Sequence, residues 1–312
     1  MILTPLQIKE IEGLAPDRVF REVPLRRFTS FEIGGPADLM VEPAGLYDLS
    51  RLLMYLLDEK IPRIILGAGT NVLFHDAGFR GVVIRTKYLN RMDFQSDGTE
   101  KATVTVSAGV PLPRLVSRAC EFGWTGIEDL WGIPGSFGGA VVTNAGSGSV
   151  SMFDPLVMIR LLNDRGEPIA IEKKDLRSGY RYMEIPPGSV LVEGVLQVER
   201  GDSQEIDARI AAARERRRNK QPSGLASAGC VFKNPSQDKP AGLIIERLGL
   251  KGMSVGDAQI SEIHANFIVN RGKARATDVL ELIEKIRTKV LHEEALKLDL
   301  EIRVLGQEGL ND

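Results

Sequence analysis

The sequence predicts a mixed α+β protein of more than one domain, and three observations lead there. Helical-period and alternating apolar patterns interleave along the chain. Short apolar strands run directly into glycine turns. The 312 residues are 43% hydrophobic and 26% charged, an average composition that can bury a large core. Lys and Arg total 40 against 42 Asp and Glu, so no basic excess marks a nucleic-acid or anionic-membrane surface. The start, Met1-Ile-Leu-Thr-Pro5, has no basic region leading into an apolar stretch, and no run of about 18 apolar residues occurs, which predicts a cytoplasmic protein. Two cysteines, Cys120 and Cys230, and three histidines offer neither a disulfide framework nor a metal site.

Leu46, Leu49, Leu53, Leu56 and Leu57 recur at helical spacing and stop before Pro62. A short buried strand over 63–66 then enters Gly67-Ala-Gly-Thr-Asn71. Residues 103–107 alternate like a strand, and Leu112, Leu115, Val116, Ala119 and Cys120 share one helical face, which places Cys120 in the core. Glycines crowd 123–148, but interspersed Ile and Val mark shaped backbone rather than a tether. Strands over 156–162 and 168–171 flank the hairpin turn Asn163-Asp-Arg-Gly166, and strand character returns at 190–192 and 195–198. A basic helix over 206–220 is broken by Gln221-Pro-Ser-Gly224, where a domain boundary is expected. Val279, Leu282, Ile283, Ile286 and Val290 form a second amphipathic helix, with Thr277 or Asp278 as its cap. A last strand over 296–305 turns its apolar residues to one face and Asp299, Glu301 and Arg303 to the other.

Two glycine segments can carry chemistry, 66–72 and Gly132-Ile-Pro-Gly-Ser-Phe-Gly-Gly-Ala140 with Thr143-Asn-Ala-Gly146. Glycine lets main-chain N–H groups approach an anion, and Thr70, Ser136 and Asn144 add side-chain donors. Either segment alone reads first as a tight turn; two together, with matching hydroxyls and amides, favour a phosphate site. Neither fits the Walker or Rossmann pattern, so a nucleotide cofactor would sit on another fold.

Taken in order with Thr29-Ser-Phe-Glu-Ile-Gly-Gly-Pro-Ala37, Gly179-Tyr-Arg181, Ser227-Ala-Gly-Cys-Val-Phe-Lys-Asn-Pro235, His264-Ala-Asn-Phe-Ile-Val-Asn270 and Leu298-Asp-Leu-Glu-Ile302, these segments resemble the UDP-N-acetylenolpyruvoylglucosamine reductases, the MurB family, over nearly the whole chain. The resemblance implies a two-subdomain FAD-binding fold of the vanillyl-alcohol-oxidase/PCMH type, over 1–88 and 89–218, followed by an α+β substrate domain over 219–312. It implies non-covalent FAD, NADPH as co-substrate, a UDP-sugar substrate and a monomer. FAD contacts would come from Gly67, Ala68, Gly69, Thr70, Asn71 and Val72, from Pro134, Gly135, Ser136, Gly138 and Gly139, and from Asn144, Ala145 and Gly146. Tyr180, Lys220, Lys233 and Asn234 would hold the substrate.

The chemistry gives the remaining motifs a reason. Hydride added to the terminal carbon of an enolpyruvyl ether leaves an enolate-like charge to be stabilised and protonated. By resemblance, Arg181 holds the substrate carboxylate, Glu301 polarises or relays a proton, and Cys230 stands where many members carry a proton-donating serine. A thiol titrates near about 8.5 and can serve as that donor. From the residues alone Arg181 reads first as a structural ion pair, while Glu301 fits an exposed strand carboxylate as well and Cys230 a small buried filler. His264 is expected to make structural hydrogen bonds, Trp124 and Trp131 to pack, and Arg217 and Arg218 have no assigned role. The chain resembles the shorter branch of the family, without the loop bearing a substrate-clamping tyrosine. Another oxidase on the same scaffold, or a flavin-binding module without turnover, would keep the glycine loops but would not need Arg181, Cys230 and Glu301 together.

Overall fold

The computed structural model describes residues 3–96, 98–147 and 150–306. By its contacts the chain forms two compact units: Met1–Arg21, Leu39–Ala68 and Gly81–Arg217 make the first, Glu22–Asp38, Gly69–Arg80 and Arg218–Asp312 the second.

The first unit has two hydrophobic cores. In one, α1 (Pro5–Leu14) and α2 (Leu46–Asp58) contribute Ile8, Ile11, Leu49, Leu52, Leu53 and Leu56. The leucine spacing did not reveal α1. Its signal is Thr4 and Gln7, whose side chains accept each other's backbone N–H groups across the first turn. Leu46 of α2 is 48% exposed, so the apolar stripe starts one turn later than the spacing placed it. The helix closes where the Lys60 N–H reaches Leu57 and the Ile61 N–H reaches Leu56, with Lys60 in the left-handed region. The strand Arg63–Leu66 pairs in parallel with Phe79–Arg85.

A six-stranded sheet surrounds the other core. Its order is Pro168–Glu172, Leu156–Leu162, Val190–Arg200, Lys101–Ser107 and Met92–Ser96, and Trp124–Thr125 also pairs with Val190–Arg200. The sequence showed two pieces in 190–198, whereas the structure has one strand of 11 residues. Glu193 and Gly194 break the apolar pattern but keep partners on both neighbouring strands. The expected hairpin turn is present, with the Asn163 carboxamide oxygen accepting the N–H groups of Arg165 and Glu167.

Three helices complete this unit: α3 (Leu112–Glu121), α4 (Phe137–Val142) and most of α5 (Ser203–Lys220). Leu112, Leu115, Val116 and Ala119 of α3 are buried, but Cys120 lies half-buried at the core's edge. Burial pushes its thiol up to about 12, with Glu128, Asp207 and Glu121 adding to the effect. Such a thiol is inert at neutral pH. The basic residues of α5 pair within the unit, Arg216 with Asp129 at 2.7 Å and Arg209 with the buried Glu128 at 3.6 Å, while the Arg214 guanidinium sits 5.6 Å from the centre of the Trp131 ring.

The second unit has its own core around an antiparallel sheet ordered Ala226–Cys230, Phe267–Asn270, Ala258–Ile260 and Ser254–Val255, with α6 (Ala241–Arg247) and α7 (Ala276–Glu294). The helical period of Val279, Leu282, Ile283, Ile286 and Val290 is the buried face of α7. Its cap differs from the sequence expectation. Asp76 accepts the N–H groups of Ala276 at 2.8 Å and Thr277 at 3.1 Å, while Asp278 accepts that of Arg275. A carboxylate 200 residues away thus satisfies the helix's first donors. The last strand is also shorter than expected. Only Arg303–Leu305 is regular, in parallel with Val72–Phe74, although Leu298 and Ile302 are buried and Asp299 and Arg303 exposed as the alternation required.

Candidate active site

Within the second unit, residues 299–301 lie along 231–233. The Glu301 N–H donates to the Val231 carbonyl at 2.8 Å, the Lys233 N–H donates to the Asp299 carbonyl at 2.8 Å, and Phe232 bridges Leu300. Cys230 ends the strand Ala226–Cys230 opposite Phe267, half-buried, immediately before this pairing. Cys230 and Glu301, 71 positions apart in sequence, are thereby set on bonded stretches of main chain. From the other side, Asn71 donates its Nδ2 to the Glu301 carbonyl at 3.0 Å and accepts the Arg303 N–H on its own carbonyl at 3.0 Å. The structure therefore gathers Asn71, Cys230, Lys233 and Glu301. Asn234 follows, its Oδ1 accepting the Ala241 N–H at 3.0 Å at the start of α6.

Gly69 of the first glycine loop takes φ +68°, and a Cβ there would lie 2.0 Å from the Phe28 carbonyl oxygen. Glycine is required on both counts.

In the first unit Gly67 faces Ser136, and a Cβ on Gly67 would lie 2.2 Å from the Ser136 Oγ. Ser136 caps α4, accepting the Gly139 N–H at 3.3 Å. The neighbouring N–H groups of Phe137 and Gly138 go to the carbonyls of Val110 and Ala108. The N–H groups of Gly138 and Gly139, expected to face an anion, are thus engaged within the protein, because the short helix is docked against 108–110. Asn144, buried and in the left-handed region, donates Nδ2 to the Gly179 carbonyl at 2.9 Å and accepts the Phe153 N–H at 3.0 Å. It ties down the small hairpin of Ser178–Gly179 and Tyr182–Met183, whose apex is Tyr180 and Arg181. Arg181 has φ +62°, its Nη2 donates to the Gly146 carbonyl at 3.3 Å, and its guanidinium lies 5.1 Å from the Tyr180 ring centre. Arg181 and Tyr180 belong to the first unit, Lys220, Cys230 and Glu301 to the second.

Residues 37–172 match the FAD binding domain family, and residues 221–305 match the UDP-N-acetylenolpyruvoylglucosamine reductase C-terminal domain. A relative named UDP-N-acetylenolpyruvoylglucosamine reductase from Syntrophus aciditrophicus (strain SB) is 39% identical over 309 residues, 99% of each chain. This chain belongs to the UDP-N-acetylenolpyruvoylglucosamine reductase family. Another reductase of that name, from Geotalea uraniireducens (strain Rf4), is 40% identical over 91% of this chain and 92% of its own. The crystal structure of the reductase from Thermus caldophilus matches with a TM-score of 0.80 at 37% identity, over 92% of this chain and 98% of that one. The expected α+β architecture is therefore the observed one, an FAD-binding fold followed by the reductase C-terminal domain. Like the family, the chain is an FAD-dependent oxidoreductase.

Residues of this chain fit the flavin nucleotide. The Ser136 hydroxyl stands over Gly67 where any side chain would displace it, and hydroxyl with close main chain is the donor set of a diphosphate site. Among the described residues no group of three or more His, Cys, Asp or Glu could hold a metal ion, and no helix is long and apolar enough to cross a membrane.

Sequence reasoning assigned no role to Asn266. It is 3% exposed and its carboxamide bonds both main-chain groups of Phe232, a role without any local pattern. His264 is structural, as expected: its Nδ1 accepts the Asn266 N–H at 3.2 Å. Burial holds its pKa below the ordinary value, Lys251 and Lys220 push the same way, and its own backbone bond and Glu246 oppose. The unfolded chain therefore binds the proton more readily than the folded one. The stabilisation is complete above the unfolded pKa of about 6.5 and is lost as pH falls below it. The wild-type melting temperature is expected to drop more between pH 7.5 and 5.5 than that of His264→Gln. Parallel curves for the two proteins would remove His264 as the source.

Proposed function

We propose that this chain reduces the enolpyruvyl ether of UDP-N-acetylenolpyruvoylglucosamine with NADPH to UDP-N-acetylmuramate, a cytoplasmic step in making peptidoglycan precursors. The observation that carries the proposal is the pairing of 231–233 with 299–301, which puts a thiol and a carboxyl group on neighbouring main chain in a chain aligned end to end with named reductases.

Bound FAD would supply the hydride chemistry, linking NADPH to the terminal carbon of the enolpyruvyl group. Negative charge then develops on the carbon bearing the carboxylate. Arg181 holds that carboxylate in its guanidinium fork. Glu301, protonated, donates to the enolate oxygen. Cys230 gives its Sγ proton to the carbon and recovers one from solvent, which completes the ether. Gly67, Ala68, Gly69, Thr70, Asn71 and Val72, with Pro134, Gly135 and Ser136, hold the flavin nucleotide. Gly138, Gly139, Asn144, Ala145 and Gly146 shape that site through the docking of α4 and the 178–183 hairpin. Tyr180, Lys220, Lys233 and Asn234 hold the UDP-sugar. We further assign 1–88 and 89–218 as halves of the flavin domain and 219–312 as the substrate domain; one core draws most of its residues from 1–88 and another from 102–198, although 22–38 and 69–80 pack with the C-terminal unit.

The test is direct. The purified protein should show a flavin spectrum and oxidise NADPH beyond one equivalent per flavin only when the UDP-enolpyruvyl sugar is present; a colourless protein after reconstitution, or sustained sugar-independent turnover, contradicts the reading. Lys220→Ala is expected to weaken substrate binding by about tenfold or more while flavin stays bound, since one charge-assisted phosphate bond is lost. An unchanged substrate KM would take Lys220 off the diphosphate.

A further inference from the structure

Strand Ala226–Cys230 does not keep its register along Phe267–Asn270: Ser227 faces Val269, but three residues later Cys230 faces Phe267, only two residues along. The extra residue is a bulge, and Gly229 within it has φ +81°. Past the bulge the regular ladder stops, and Asn266 takes the place of a partner strand. Its Oδ1 accepts the Phe232 N–H at 2.9 Å, its Nδ2 donates to the Phe232 carbonyl at 2.8 Å, and its own carbonyl accepts the Val231 N–H at 2.8 Å. Three bonds from one residue thus land on the two positions following Cys230. The outer edge of those same positions carries the segment with Glu301, through its N–H to the Val231 carbonyl and the Phe232–Leu300 bridge. Removing the carboxamide would leave two main-chain groups of Phe232, a fully buried side chain, without that partner.

We propose that Asn266 is a positioning residue for the reduction, holding Cys230 and Glu301 in one register by standing in for the strand that the bulge interrupts. The inference rests on the proposed reductase activity. Asn266, 3% exposed and with its carboxamide spent on Phe232, acts through the main chain of Val231 and Phe232. A misplacement of about 1 Å at reacting groups can cost about 100-fold in rate.

The experiment uses the full chain with FAD bound, as wild type, Asn266→Ala and Asn266→Asp. Aspartate keeps an acceptor for the Phe232 N–H but loses the donor to its carbonyl. In both variants flavin content and the rate of flavin reduction by NADPH are expected to stay within about twofold of wild type. Reoxidation by the UDP-enolpyruvyl sugar in a single turnover should slow by about 10- to 100-fold, less in aspartate than in alanine. Amide hydrogen exchange at Glu301 should quicken in parallel, a readout independent of turnover. If alanine fails to fold, aspartate decides. Unchanged reoxidation despite faster exchange at Glu301, or equal loss of both half-reactions, overturns the inference. A wild-type protein whose reduced flavin the sugar cannot reoxidise fails the reductase reading itself, and this role with it.

Discussion

Cys230→Ala is expected to leave flavin reduction by NADPH within about twofold of wild type and to slow reoxidation by the UDP-enolpyruvyl sugar by about 10²- to 10⁴-fold, the range for loss of a positioned general acid. The two half-reactions separate because only the second needs a proton at carbon. The side chain is half-buried at a strand end, so the fold should tolerate its removal. Cys230→Ser is the control: a hydroxyl in the same place is a weaker acid but still a donor, and much of the rate should return. Stopped-flow absorbance of the flavin reads both steps. Should serine be as slow as alanine, or should alanine slow both steps alike, Cys230 is not the donor.

The second large effect is steric. Gly69→Ala must put a Cβ 2.0 Å from the Phe28 carbonyl oxygen, in a main-chain conformation of φ +68° that already disfavours an L side chain. The left-handed conformation alone costs about 1–2 kcal/mol, and forcing apart 28–30 and the loop adds a similar amount. The Ser30 N–H, bonded to the Gly69 carbonyl at 3.0 Å, would be pulled away in the same movement. A total of about 2–4 kcal/mol in denaturant unfolding is expected, together with loss of flavin on gel filtration. Gly98→Ala separates the two causes. Gly98 has φ +88° with open space where its Cβ would be, so it reports backbone strain alone. Equal destabilisation of the two variants would show that the contact with Phe28 does not matter.

Much of this was legible in the residues. The leucines of α2, the apolar face of α7 and the Asn163 turn are signals confined to about 20 residues, and the structure contains each element they announce. The differences lie at the chain's ends and element ends: Leu46 is exposed, α1 has no leucine spacing to announce it, and the last strand is regular over three residues. Motif order pointed to the family and to Cys230, Glu301 and Arg181 as residues to examine. Packing explains why Gly138 is small: its N–H goes to the Ala108 carbonyl, and a Cβ there would lie 2.7 Å from the Ala108 Cβ.

By itself, then, the sequence determined the local elements and the family, because periodicity, turn chemistry and motif order are properties of neighbouring residues. Tertiary structure alone decided which distant groups meet. Asn71 bonds Glu301 from 230 positions away, Asp76 caps a helix 200 positions on, and Asn266 supports Phe232 across 34. An asparagine or aspartate in a loop looks the same in sequence whatever it holds. Its partner is fixed only when the folded core brings a main-chain group in need of a bond within reach and shuts out the water that would otherwise serve.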